Sequence, residues 1–109
     1  MSFWKAEDAK SVEMIPGVTR QLISHGEQAM AVRFELTKGS SVPGHAHRYE
    51  QIGFVITGRL EMTIGDESRL LEPGDGYTIP PHVTHGATAF DEDCVVVDVF
   101  TPLREDYLV

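Results

Sequence analysis

The 109-residue chain has a single cysteine, Cys94. With no second thiol there is no disulfide framework within it, which points to a reducing compartment and a fold held by its own core. Long apolar runs are missing too. No stretch could span a bilayer, and the opening Met-Ser-Phe-Trp-Lys-Ala-Glu-Asp carries acids where a secretory signal needs an apolar segment. A cytoplasmic protein with no membrane partner is the expectation. Basic residues are scarce, 9 Lys plus Arg against 17 Asp plus Glu, for a formal charge of −8. Long-range repulsion argues against nucleic acid as a partner. An anionic ligand would need local compensation from a bound cation and an arginine in a cleft. No segment of useful length carries the apolar period of a helix.

What is present is strand and turn. At this length, with 41% hydrophobic residues, the expectation is one domain over residues 1–109, with residues 1–11 as an N-terminal arm. Residues 18–24 and 29–36 read as a hairpin across a turn at His25-Gly26-Glu27-Gln28, with Met30, Val32, Phe34 and Leu36 on one face. Residues 52–57 are almost wholly apolar, as expected of a strand covered on both faces. Turns at Gly58-Arg59, at 65–68, at 73–76 and at Asp91-Glu92-Asp93 separate further short strands. Many short strands between Gly, Pro and Asp turns predict an all-β fold, a small antiparallel double-sheet jelly-roll barrel.

Two stretches carry the chemistry. In the first, Gly39 to Gln51, His45 and His47 alternate with Ala46, so an extended strand would point both imidazoles to one face. The same parity brings Tyr49 and Gln51 to that face and Glu50 to the other, unless a bulge intervenes. Pro43-Gly44 reads as a turn that re-aims the backbone. In the second stretch, Gly74 is followed by Pro80 and then by His85, with His82 between them. Gly39-x5-His45-x-His47 and Gly74-x5-Pro80-x4-His85 resemble the two motifs of the cupins. The likeness implies a barrel enclosing one metal, with the motifs over residues 39–86. Three histidines at these spacings, on adjoining strands, make His45, His47 and His85 the candidate ligands. Gln51 stands where the usual first motif has Glu, His82 where the second has Gly, and Ala89 where it has Asn. Gln51 is the candidate fourth ligand; the alternatives are Glu50 reaching in through a bulge, or Gln51 orienting a bound water. Imidazole ligands suit a divalent transition metal, Ni, Zn, Fe, Mn or Co, without choosing among them. His82 reads as a rim residue and Cys94 as a packing residue.

The last strand, residues 94–100, has one acid, Asp98, in a run of apolar residues. A carboxyl inside a sheet is costly unless it is hydrogen-bonded, paired or used in chemistry. Parity puts Val96, Asp98 and Phe100 on one face; the alternative is an ion pair with an arginine at the barrel surface. His-x-His-x3-Gln, Gln-Ile-Gly-Phe-Val-Ile-x-Gly, Pro-Pro-x-Val-x-His-Gly and the terminal Asp-Val-Phe-x-Pro-x-Arg-Glu-Asp-Tyr-Leu together resemble the KdgF group of cupins, from bacterial pectin and alginate degradation. The resemblance implies ring opening of 4,5-unsaturated uronate monosaccharides to the linear 5-keto uronate. It also implies metal ligands His45, His47, Gln51 and His85, a catalytic acid/base Asp98, and substrate contacts Phe100 and Arg104. The partner expected is a small anionic sugar, and the expected assembly is a homodimer. The rival readings are another metal cupin enzyme, an iron dioxygenase or a sugar isomerase, and a non-catalytic cupin that binds a small ligand or sugar acid.

Overall fold

A computed structural model of the chain describes residues 2–108. It contains ten strands: β1 Ser11–Ile15, β2 Val18–His25, β3 Met30–Leu36, β4 Ser41–His45, β5 Glu50–Thr57, β6 Leu60–Ile64, β7 Glu67–Leu71, β8 Gly76–Ile79, β9 His85–Ala89 and β10 Cys94–Thr101. The only helical segments among the described residues are 3-10 turns at Ala6–Asp8 and Glu105–Tyr107. One sheet has the order β1-β2-β3-β10-β5-β8 and the other β4-β9-β6-β7. Every pairing is antiparallel. This is the all-β jelly roll expected from the turn-punctuated sequence.

Alternation puts the core between the sheets. Met30, Val32, Phe34 and Leu36 of β3 are buried, and so are Cys94, Val96, Asp98 and Phe100 of β10. Phe100, Phe34 and Tyr107 meet edge to face, with ring centroids 5.6–6.3 Å apart. Beyond the burial itself, each such pair is worth about 0.5–1.5 kcal/mol. The β2–β3 hairpin closes through Gly26 N donating to Ala29 O.

Three local expectations are corrected. The arm is shorter than residues 1–11, because Ser11 already begins β1, an edge strand on β2. Pro43-Gly44 is no turn; both lie inside β4, where the pairing with β9 slips between Val42 and His45. A bulge there bends the strand and re-aims the side chain that follows, which is His45. Finally, β5 is covered on one face only. Gln51 and Val55 are buried, while Ile52, Phe54 and Ile56 on the other face are 47%, 45% and 42% exposed.

Candidate metal centre and buried acid

The three motif histidines meet at one end of the space between the sheets. His45 closes β4 directly opposite His85 at the start of β9. The strands can approach here because residue 86 is glycine: a Cβ on Gly86 would lie 2.8 Å from the Val42 carbonyl. His47 lies beyond the end of β4, in the link to β5, so strand parity does not place it. The loop of the second motif is tied back to it, His82 N donating to His47 O at 2.7 Å. His82 holds a left-handed φ of 67°, at the position where the cupin motif favours glycine. Its side chain is exposed.

Each imidazole has its Nδ1 beside a backbone carbonyl: His45 on Pro43 O at 3.0 Å, His47 on Tyr49 O at 3.1 Å and His85 on Val83 O at 2.9 Å. A carbonyl only accepts, so in His45 and His85 Nδ1 carries the proton and Nε2 presents a lone pair; in His47 both ring nitrogens face an oxygen that only accepts, Tyr49 O and Gln51 Oε1. The outer hydrogen bond fixes tautomer and ring orientation, as it does around metal-binding histidines. One ligand atom from each ring lies within 4.8 Å of the other two. Burial, the leading cause, pulls His47 and His85 below the usual imidazole value and favours the neutral, ligating form. His85 Nε2 is buried with no hydrogen-bond partner.

Gln51 joins this cluster from the other sheet, and Glu50 does not. Its Oε1 is 3.0 Å from His47 Nε2, while its amide Nε2 donates to Asp98 Oδ2 at 3.0 Å. With the His47 proton on Nδ1, two lone pairs face each other at 3.0 Å, an arrangement a shared cation stabilises; with it on Nε2, the ring donates to Gln51. On donor type and spacing, His45, His47, His85 and Gln51 fit a divalent transition metal.

Asp98 faces inward, 3% exposed. No salt bridge to it occurs among the described residues, so the arginine alternative is not what holds it. Its partners are Gln51 and the Tyr77 hydroxyl, which donates to Oδ1 at 2.5 Å. Burial pushes its pKa up to about 7, against the opposing pull of those two donors. Tyr77 was not singled out in the sequence; the signal available was that a carboxyl buried in a strand requires donors from its neighbours.

Arg104 stands past β10 with its guanidinium 3.8 Å from the Tyr107 ring centre and 5.1 Å from those of Phe100 and Tyr49. One terminal nitrogen pairs with Asp106 at 3.2 Å, yet the side chain is only 14% exposed. Its Nε is buried with no acceptor. Phe100 is part of the core as well as the site, 1% exposed. His45, His85, Gln51, Asp98, Phe100 and Arg104 all line one pocket, about 560 Å³ of empty space counted together with the open solvent at its mouth. Cys94 is apart from this, its thiol on Arg59 O at 3.1 Å and its pKa raised by burial, as suits a packing residue.

Comparison with known proteins agrees with this geometry. The family model described as "Cupin domain" matches residues 32–100. The pectin degradation protein KdgF of Dickeya dadantii (strain 3937) is 33% identical over 97 residues, covering 88% of each chain. KdgF from Halomonas sp., a solved structure, superimposes with a TM-score of 0.91 at 34% identity over 97% of each chain. An H2HPP isomerase of Bacillus subtilis is 30% identical over 92 residues, 83% of this chain and 39% of its own length. The chain belongs to the cupin family, and among cupins it is similar to KdgF.

Proposed function

We propose that the chain is a metal-dependent enzyme that opens the ring of a 4,5-unsaturated uronate monosaccharide to the linear 5-keto uronate. The observation that carries this reading is Arg104 Nε, a buried donor without an acceptor beside the pocket that Asp98, His45 and His85 line. An unpaired buried donor is costly, so the site is built for an acceptor brought by a ligand, and a carboxylate meets a guanidinium best. The likeness to a pectin degradation protein supports a sugar acid as that ligand.

His45, His47, His85 and Gln51 would hold one divalent transition metal. Bound there by neutral ligands, such an ion keeps its full charge and supplies Lewis acidity towards the substrate's oxygens. Arg104 binds the substrate carboxylate and Phe100 gives an apolar wall. Asp98 handles the proton. As carboxylate it takes the anomeric hydroxyl's hydrogen as a proton; the O–H electron pair becomes the second C1–O bond of the aldehyde, the bond from C1 to the ring oxygen breaks with its pair leaving on that oxygen, and an enolate remains over C4, C5 and the former ring oxygen. The carboxylic acid then returns that proton to C4, giving the 5-ketone. Reactant and product are isomers, and no external oxidant or reductant is needed. A pKa near 7 suits a group that must both accept and donate a proton.

The chain acts as one domain over residues 1–109 and as a homodimer through the outer face of β5. The test is incubation of the metal-loaded protein, without oxygen, with an unsaturated uronate monosaccharide, following loss of the 4,5 double bond by ultraviolet absorbance above the spontaneous rate. Catalysed loss is expected, and Arg104→Ala should raise KM by roughly tenfold to a hundredfold. Binding without loss would favour a non-catalytic sugar-acid cupin, and turnover requiring oxygen would favour a dioxygenase.

A further inference from the structure

We infer that Tyr77 is a positioning residue for Asp98, and that Gly53 is the gap through which it acts; this rests on the ring-opening reading. In the six-stranded sheet Tyr77 of β8 pairs with Gly53 of β5, and Gly53 pairs with Asp98 of β10. Adjacent strands lie about 4.8 Å apart, so the backbones of Tyr77 and Asp98 are about 10 Å apart, a space ordinarily filled by the side chain of the middle residue. Residue 53 has none. A Cβ there would overlap Asp98 Oδ1 and lie 2.6 Å from both Cζ and Oη of Tyr77. The phenol crosses the vacant position and donates to Oδ1 at 2.5 Å, while Gln51 donates to Oδ2 at 3.0 Å.

The two donors come from different strands and take one carboxyl oxygen each, so together they fix the plane of the carboxyl group. Tyr77 is 9% exposed, and its phenol pKa is raised, chiefly by burial, so it remains a neutral donor. Packing alone would be served by phenylalanine. The hydroxyl satisfies one oxygen of a buried carboxyl and, with Gln51, sets its direction, which proton transfer at a substrate demands. Without it, Oδ1 loses its donor and the carboxyl is free to turn about its last bond.

Tyr77→Phe in the metal-loaded protein tests this. We expect kcat to fall by about tenfold to a hundredfold with KM within about twofold and metal content unchanged, because Tyr77 bears on Asp98 and not on Arg104. In an Asp98→Asn background the same change should lower kcat no further, since a residue acting through Asp98 has nothing left to act on. A crystal structure of Tyr77→Phe should show the carboxyl turned or in more than one orientation. Parent-like kcat in Tyr77→Phe, or an equal further loss in the Asp98→Asn background, overturns the positioning role and leaves ring opening intact. Should the parent itself fail to open the ring, the ring-opening reading falls, and the crystal structure still decides: Asp98 in its parent orientation without the hydroxyl overturns the inference.

Discussion

Asp98 lies in the middle of an apolar strand, held by an amide and a phenol and by no cation found among the described residues. That arrangement has a sign that can be measured. Burial raises its folded pKa to about 7, well above the ordinary carboxylate value. Between about pH 4 and pH 7 the folded chain therefore keeps a proton that the unfolded chain has released, and stability falls as pH rises through that window. The loss is of order a few kcal/mol by about pH 8. In metal-free protein, Asp98→Asn has no such proton to lose, so its melting temperature should gain on the parent's between about pH 5 and pH 8. The lowered pKa values of His47 and His85 act in the opposite direction in both proteins and cancel in the comparison. A difference that stays constant with pH would contradict a buried, titrating carboxyl. At this scale much was legible: the motif spacings singled out His45, His47 and His85, and one acid in an apolar run singled out Asp98. Tyr77 was not, because its importance depends on the registers of three strands and on the missing side chain at residue 53.

At the scale of elements, period-two alternation located β3 and β10 and grouped the residues that share a face; that those faces are the inner ones is a result of the structure. Alternation failed in instructive places. Edge strand β1 reads Ser-Val-Glu-Met-Ile with no fully buried residue, so it carries little alternation to detect. His45 and His47 were expected on one continuous strand; β4 ends at His45, and the second imidazole arrives from the link to β5. Gln51 reaches the cluster by β5's own inward parity with Val55. The Pro43-Gly44 pair signals a break in regular pairing, and a turn and a bulge share that signal in sequence.

For the whole molecule, the placement of β10 between β3 and β5 could not be read locally, yet it brings Asp98 beside Gly53 and Phe100 beside Gln51. The expectation that β5 is covered on both faces also belongs here. Ile52, Phe54 and Ile56 face outward beside Val97 and Val99 of β10, a contiguous apolar surface that solvent disfavours and that a second copy would cover. Sedimentation should find twice the chain mass for the parent and a shift towards one chain mass for Phe54→Asp, with metal still bound. A monomeric parent at tens of micromolar would remove the dimer. The proposal that a buried acid beside a metal-binding cluster moves the proton that opens the ring stands or falls on Asp98. Its most direct test is the rate at which metal-loaded Asp98→Asn consumes the 4,5 double bond. We expect kcat to be lower by on the order of 100-fold or more, with KM within about threefold of the parent's; an Asp98→Asn variant that opens the ring as fast as the parent, with metal in place, would overturn the role of Asp98.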